Sequence, residues 1–137
     1  MLGYMFVIDG GTISWSSKKQ PMIVLSTTEA EYIATTHAVK EALWLRTFIV
    51  EITWPPTCPV TVYCDNQSAI LVSKNDQYHI RMKPIDIHHH FIHDVAEKGL
   101  LTVTYCPTAE NPADTFTKAL PGPKIAHLRA LMGLHVA

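Results

Sequence analysis

The sequence predicts an α/β domain in which a mixed sheet is flanked by helices. Three observations lead to this fold class: a β-hairpin pattern near the start, two long stretches with helical periodicity, and short apolar strands that alternate with them. The chain is 47% hydrophobic and 17% charged, values typical of a globular protein and not of a disordered one. We therefore assign residues 1–137 to a single domain with its own core.

The first part of the chain predicts a hairpin followed by a long helix. Residues 4–8 and 12–17 are of strand type, and Asp9-Gly10-Gly11 between them favours a tight turn. A helix is predicted over residues 27–52, where Ser26 and Glu29 have the spacing of a capping box. Its core-facing positions recur at helical spacing and are Ala30, Ile33, Ala34, His37, Ala38, Leu45, Ile49 and Ile52.

Strands and helices alternate in the rest of the chain. Asn111-Pro112 has the pattern of an N-cap followed by proline at the first helical position. Trp44 and Phe48, on the long helix, are interpreted as packing residues rather than base-stacking residues. The predicted strands are 59–64 and 100–106, and the further predicted helices are 69–74, 85–98, 112–120 and 124–132.

Charge and cysteine content restrict the class of protein. The formal net charge of −1 excludes wrapping of nucleic acid by bulk charge, so any such contact needs a local cluster such as Lys18-Lys19. No apolar run approaches the roughly 20 residues that span a bilayer, and no basic segment of a signal peptide precedes the first strand. The 3 cysteines lack metal-ligand spacing and predict reduced thiols in an intracellular protein.

Three carboxylates lie at positions typical of a ligand site. Glu31 is near the start of the long helix, Asp65 follows a predicted buried strand, and Asp114 follows the Asn111-Pro112 cap. The carboxyl ends of strands are where ligands bind in open α/β sheets. If the three acids converge, a hard cation such as Mg²⁺ or Mn²⁺ must neutralise them, and two such ions form a phosphodiester hydrolysis site. The alternative is purely structural, with Asp65 a helix cap.

Several motifs resemble one family of proteins over nearly the whole chain and in the same order. They are WSSKKQP at 15–21, LSTTEAEY at 25–32, KEALWL at 40–45, YCDNQSAI at 63–70, IDI and HFI at 85–87 and 90–92, and NPAD and TKALP at 111–114 and 117–121. These motifs resemble the RNase H domain of copia-type (LTR) retrotransposon Pol polyproteins. The resemblance implies an RNase H-like fold, two divalent metal ions and hydrolysis of the RNA strand of RNA·DNA hybrids during reverse transcription. It also implies that Glu31, Asp65 and Asp114 are the second, third and fourth acids of a four-carboxylate site.

The resemblance also implies that the first catalytic aspartate and its central strand are absent from the N-terminus. Asp9 is an alternative first acid, but its Asp-Gly-Gly context is typical of a turn. Because a missing central strand leaves exposed edges, we expect the upstream reverse transcriptase domain or a second chain to supply a strand. We expect the protein in the cytoplasm or in a virus-like particle, without membrane association.

Other polar residues are candidates for substrate contact. Lys18 and Lys19 are placed to contact phosphates, and Asn66 and Gln67 to reach 2′-OH groups, although the same residues suit a solvated face and a helix cap. His79 is a candidate for product release or proton transfer. The histidines at 88–90 and 93 lack matching ligands for a zinc site. A catalytically degenerate or repurposed module, which binds nucleic acid or a protein without cleaving, remains the alternative function.

Overall fold

The computed structural model describes residues 2–19, 27–52, 59–65, 67, 70 and 83–135. The chain divides into two compact units, Met1–Ile23 with Cys106–Ala137, and Val24–Tyr105. The strands are β1 (Leu2–Ile8), β2 (Gly11–Lys18), β3 (Val60–Cys64) and β4 (Leu101–Tyr105), and the α-helices are α1 (Thr27–Ile52), α2 (Lys83–Glu97) and α3 (Gly122–Leu131).

The predicted hairpin is confirmed and forms the sheet of the first unit. Strands β1 and β2 pair antiparallel, with Ile8 opposite Gly11, so Asp9 and Gly10 are the two loop residues. Both have positive φ, 50° and 78°, as a type I′ turn requires. Phe6 pairs with Ser14 but Val7 pairs with Thr12, so Ile13 is the extra residue of a β-bulge.

A 3₁₀ turn over Pro112–Phe116 packs on this hairpin. The predicted cap is confirmed, because the Asn111 side chain accepts a hydrogen bond from the Ala113 N–H at 3.1 Å. The predicted helix over 112–120 is wrong in type and length, since the turn ends at Phe116. The Thr115 hydroxyl donates to the Pro112 carbonyl at 2.7 Å, and such side-chain bonds compete with a continuing helix.

Helix α3 follows this turn and buries Leu128 completely. Its C-terminal end is bonded to the hairpin, because the Met132 carbonyl accepts from both the Thr12 N–H at 3.2 Å and the Thr12 hydroxyl at 2.9 Å. Of the residues of this unit that the structure describes, the buried apolar ones are Leu2, Leu128 and Met132.

The second unit combines a parallel strand pair with two helices. Strand β3 pairs with β4 from Val60 opposite Leu101 to Cys64 opposite Tyr105. Helix α1 packs on α2 and β3, and α2 packs on β4. Parallel strands need a crossover connection, which contains α2 here. The most deeply buried side chains at these contacts are Tyr32, Val39 and Ile92.

The predicted core face of α1 is confirmed only in part. Ile33, Ala38 and Leu45 are buried, and Ala30, Ala34 and Ile49 are half-buried, whereas His37 and Ile52 are exposed. Burial follows the contacts with α2 and β3, which also cover Tyr32, Thr36, Val39 and Ala42. Trp44 and Phe48 are not core residues: they are 60% and 45% exposed and stack on each other with ring centroids 5.5 Å apart.

The mixed α/β class is confirmed, but the described strands do not form the single mixed sheet that the sequence predicted. They form one antiparallel pair, β1–β2, and one parallel pair, β3–β4. The predicted helix over 69–74 lies almost entirely outside the described residues, as do Ser26 and its capping box. Among the helices described, none has both the length and the apolar character that crossing a membrane requires.

Replacement of Gly3 by alanine tests the packing of the turn on the hairpin. A Cβ at Gly3 would lie 2.6 Å from Thr117 Cγ2, 3.2 Å from Phe116 Cβ and 3.3 Å from the Ala113 carbonyl oxygen. Because the turn must move to admit the methyl group, we expect Gly3→Ala to lower the free energy of unfolding by about 1–3 kcal/mol in urea denaturation.

Gly122→Ala is the matched control, since a Cβ there meets no described atom within 4 Å. We expect this change in α3 to be neutral or to stabilise by up to about 1 kcal/mol. Equal effects of the two substitutions would show that the turn does not depend on the missing side chain of Gly3.

Candidate functional site

Asp114 is a buried carboxylate in the 3₁₀ turn of the first unit. It is 5% exposed, and among the described residues it is the only charged residue that is fully buried. The ammonium group of Lys118 lies 3.2 Å from Oδ1 and 3.2 Å from Oδ2, so a single cation contacts both carboxylate oxygens. Burial of an unpaired carboxylate is strongly unfavourable, and this pairing offsets that cost.

The backbone holds the two members of this pair in position. The Asp114 N–H donates to the Asn111 carbonyl at 3.2 Å. The Asp114 carbonyl accepts from the Thr117 N–H at 3.2 Å and from the Lys118 N–H at 2.9 Å. This last bond spans four residues and is a helical turn, which brings the side chains at i and i+4 to the same side.

Glu31 and Asp65 belong to the second unit. Glu31 is half-buried one turn into α1, and its Oε2 atom is fully buried. Asp65 is half-buried and directly follows β3, at the carboxyl end of the parallel pair. Their chain neighbours Tyr32 and Cys64 interact electrostatically, so α1 and β3 approach each other at this point. The segments of α1 and β3 that carry the two acids therefore approach each other within this unit.

The environment of Tyr32 shows how enclosed this end of α1 is. Burial raises the pKa of the Tyr32 hydroxyl well above its ordinary value, and negative charge on the Cys64 thiol raises it further. The Tyr32 carbonyl accepts from the buried Thr36 hydroxyl at 2.9 Å. Cys64 and Cys106 take part in no disulfide, and both are half-buried. Cys58 lies outside the described residues.

The donor chemistry of the three acids fits a hard divalent cation. Carboxylate oxygens are the ligands that Mg²⁺ and Mn²⁺ prefer. Both oxygens of Asp114 already contact one cationic group, as both oxygens of a bidentate carboxylate ligand contact one metal ion. Glu31 and Asp65 lie in one compact unit and Asp114 in the other. The meeting of all three around a shared ion stays a prediction.

The remaining predicted site residues are either exposed or outside the described part of the chain. Lys18 is the last residue of β2, and both it and Lys19 are exposed, as contact with phosphates requires. Gln67 is exposed as well, whereas Asn66 and His79 lie outside the described residues. Asp9 is an exposed residue of the hairpin turn, in the role that its Asp-Gly-Gly context predicted. Its role as an alternative first acid stays a prediction.

Lys118 is the residue of this site that the sequence analysis missed. Lys118 belongs to the TKALP motif at 117–121, which contributes to the family resemblance but did not by itself predict a site residue. An acid followed four residues later by a base is a detectable pattern, because such residues are neighbours on a helical turn. The pattern carries little weight by itself, since most such pairs lie on the surface. What makes this pair different is the burial of Asp114, which the sequence did not predict.

The histidine cluster of α2 supplies a second, weaker group of potential ligands. One donor atom from each of His93, Asp94 and Glu97 lies within 4.8 Å of the others. His93 Nδ1 is 3.9 Å from Glu97 Oε2, and both acids are exposed. An ordinary ion pair between residues four positions apart accounts for this arrangement. The prediction that the histidines of α2 do not form a zinc site stays a prediction.

His88 lies at the contact between α1 and α2. Burial lowers its pKa, and the nearby positive charges of Lys40 and His37 lower it further, while Glu29 acts in the opposite direction. Lys40 also places its ammonium group 5.7 Å from the centre of the Phe91 ring. The interface therefore favours a neutral imidazole at position 88.

Comparison with known proteins gives a consistent set of relatives. The chain is 47% identical over 133 residues to a retrovirus-related Pol polyprotein from transposon TNT 1-94 of Nicotiana tabacum. This match covers 97% of this chain and 10% of that protein. It is 40% identical over 118 residues to the corresponding polyprotein from transposon RE1 of Arabidopsis thaliana, covering 86% and 8%. The chain is similar to a segment of retrovirus-related Pol polyproteins.

This similarity confirms the retrotransposon polyprotein resemblance in its coarser form. The chain spans about a tenth of the length of these relatives. A 43-residue segment is also 54% identical to secreted RxLR effector protein 161 of Plasmopara viticola, covering 31% of this chain and 30% of that protein. No protein-family model and no solved structure matches the chain.

The position of His88 predicts a dependence of stability on pH. Its pKa in the folded state lies below the ordinary value of 6.5, so the unfolded state binds the proton more readily. Stability from this residue is therefore complete at neutral pH and is lost as the pH falls through about 6.5. We expect the melting temperature to drop between about pH 7.5 and pH 5.5, and the drop to be smaller in His88→Gln.

His135→Gln is the control for this measurement, because His135 is exposed near the C-terminus. We expect its pH profile to match that of the unmodified chain. A His88→Gln profile that coincides with the other two would contradict the assignment of a pH-dependent contribution to the contact between α1 and α2.

Proposed function

We propose that this chain is an RNase H-like domain of a retrotransposon Pol polyprotein, which hydrolyses the RNA strand of RNA·DNA hybrids during reverse transcription. The observation that carries the proposal is the similarity to a Pol polyprotein over 97% of the chain. The positions of three carboxylates support it: Asp65 at the carboxyl end of β3, Glu31 near the start of α1, and the buried Asp114. On this proposal the protein acts inside the cell, in the cytoplasm or in a virus-like particle.

In this mechanism Glu31, Asp65 and Asp114 would hold two Mg²⁺ or Mn²⁺ ions through their carboxylate oxygens. When bound, the ions supply positive charge that stabilises the attacking and leaving oxygens of the phosphodiester. The protein contributes rigidity: Asp114 is fixed by backbone bonds at both ends of its turn, and Asp65 by the parallel pairing of the preceding residue, Cys64. Fixed ligands reduce the reorganisation that accompanies the transition state.

Contacts with the hybrid are assigned to the polar residues that the sequence predicts as substrate contacts. Lys18 and Lys19 extend from the end of β2 and bind phosphates by charge. Gln67, two residues after Asp65, and Asn66 reach 2′-OH groups, which distinguish the RNA strand from DNA. His79 remains a candidate for proton transfer or product release. On this proposal, recognition of the 2′-OH groups selects the RNA strand for cleavage.

A second candidate function is binding without cleavage. The segment shared with secreted RxLR effector protein 161 favours it, because that relative is not named as a Pol polyprotein. A module of this kind keeps the fold and the polar surface for nucleic acid or a protein partner but does not need the metal ions. The two functions differ in whether Asp65 is required for an observable reaction.

The decisive experiment measures cleavage of an RNA·DNA hybrid labelled on its RNA strand. We expect cleavage by the chain that depends on Mg²⁺ or Mn²⁺ and falls roughly 100-fold or more in Asp65→Asn, since changes to outer-shell partners alone cost up to about 100-fold. Glu51→Gln is the matched control, because Glu51 is an exposed carboxylate on α1 that belongs to no proposed site. We expect this control to leave the rate unchanged.

The same assay is run on the chain within a longer Pol polyprotein segment, because the chain spans only about a tenth of the length of its relatives. Cleavage that is equal with and without the Asp65→Asn substitution in both forms would contradict the nuclease function. Binding of the hybrid by both proteins, without cleavage by either, would establish the second candidate function.

A further inference from the structure

Asp114 and Lys118, which contact each other, differ strongly in their exposure to solvent. The Asp114 side chain is 6% exposed, whereas the Lys118 side chain is 50% exposed. The acid belongs to a turn that packs closely on Gly3 of β1, and its backbone is bonded on both sides. The lysine is attached through a flexible four-carbon stem that reaches solvent. The carboxylate is therefore fixed, while the ammonium group can leave it for water.

The ammonium group lies where a bidentate cation would lie. Its distances to Oδ1 and Oδ2 are both 3.2 Å, so the charge is shared equally between the two oxygens. A divalent ion held by both oxygens of Asp114 would compete with this ammonium group, because the two cations would bind the same oxygens and repel each other. Only one of them can be accommodated at this carboxylate at a time.

We propose that Lys118 is a tethered counter-ion that holds the cation position of Asp114 in the metal-free protein and is displaced when a divalent ion binds. This inference rests on the proposed metal site, of which it defines the regulation. Lys118 stabilises the turn while no ion is bound, because it neutralises the buried carboxylate. It also weakens ion binding, because the ion must compete with a group of the protein for the same oxygens. Lys118 thus sets the ion concentration at which the site is filled.

The test compares Mn²⁺ binding by the full chain and by Lys118→Met, which keeps most of the stem but removes the charge. Isothermal titration calorimetry with Mn²⁺ alone gives the dissociation constant. We expect Lys118→Met to bind Mn²⁺ roughly fivefold more tightly or better, the scale of one unit-charge contact at about 4 Å in a water-like dielectric. Lys98→Met is the matched control, since Lys98 is exposed and lies in the other unit, and we expect it to leave the affinity unchanged.

Melting temperatures provide a readout that a purely structural role would not produce. In EDTA we expect Lys118→Met to melt below the unmodified chain, because Asp114 has lost its counter-ion. At saturating Mn²⁺ we expect this difference to close or reverse, since the ion then neutralises the carboxylate. A residue that acts only through packing would lower the melting temperature equally in both conditions.

Lys118→Arg keeps the test decisive if Lys118→Met does not fold. A guanidinium group matches both carboxylate oxygens, so we expect this variant to fold and to bind Mn²⁺ no more tightly than the unmodified chain. Asp114→Asn identifies the binding position, and we expect it to abolish the dependence of affinity on residue 118.

Equal dissociation constants for the unmodified chain and Lys118→Met would overturn the inference but leave the proposed nuclease function intact. Tighter binding by Lys118→Arg would also overturn it. Absence of Mn²⁺ binding to every variant would overturn both the inference and the metal site. In the remaining case, the Mn²⁺ affinity depends on Lys118 but the hybrid is not cleaved. That result would support the inference about Lys118 and contradict the nuclease function.

Discussion

The burial of the Asp114 carboxylate is the constraint on which the first unit depends. A charged group removed from water is tolerated only with a partner and a rigid frame. Three features supply these: the Asn111 side chain fixes the start of the turn, Gly3 leaves room for the turn against β1, and Lys118 provides the charge. Ser17 adds a hydrogen bond of 2.7 Å to the Phe116 carbonyl. A carboxylate that is buried, held by its backbone and paired with a cation is more typical of a functional residue than of a surface acid.

The elements with strong local sequence signals were predicted well. Asp9-Gly10 fixes the hairpin turn because both residues tolerate positive φ, and α1 has the predicted bounds of Thr27–Ile52. The sequence failed where structure depends on distant contacts. The face of α1 that is buried is set by α2 and β3, which no periodicity along α1 reveals. The segment after Pro112 became a 3₁₀ turn because threonine side chains bond its carbonyls, although its cap predicted a helix.

The candidate site also has a part that the sequence predicts and a part that it does not. Residue type and position relative to strand and helix ends were sufficient to select Glu31, Asp65 and Asp114 as candidates. Burial was not predictable, because it comes from the packing of the turn on β1, a contact between opposite ends of the sequence. The role of Lys118 depends on that burial. Without it, Asp114 and Lys118 would be one more exposed pair of the kind that contributes little to stability.

The pairing of Asp114 with Lys118 has a consequence for the unit that contains both residues. Because the two residues are only four positions apart, the unit neutralises its buried carboxylate without help from any other part of the chain. On our proposal, a divalent ion that bound Asp114 would take over this neutralisation from Lys118. The free energy that the ion contributes to folding would then be reduced by whatever the pair already supplies.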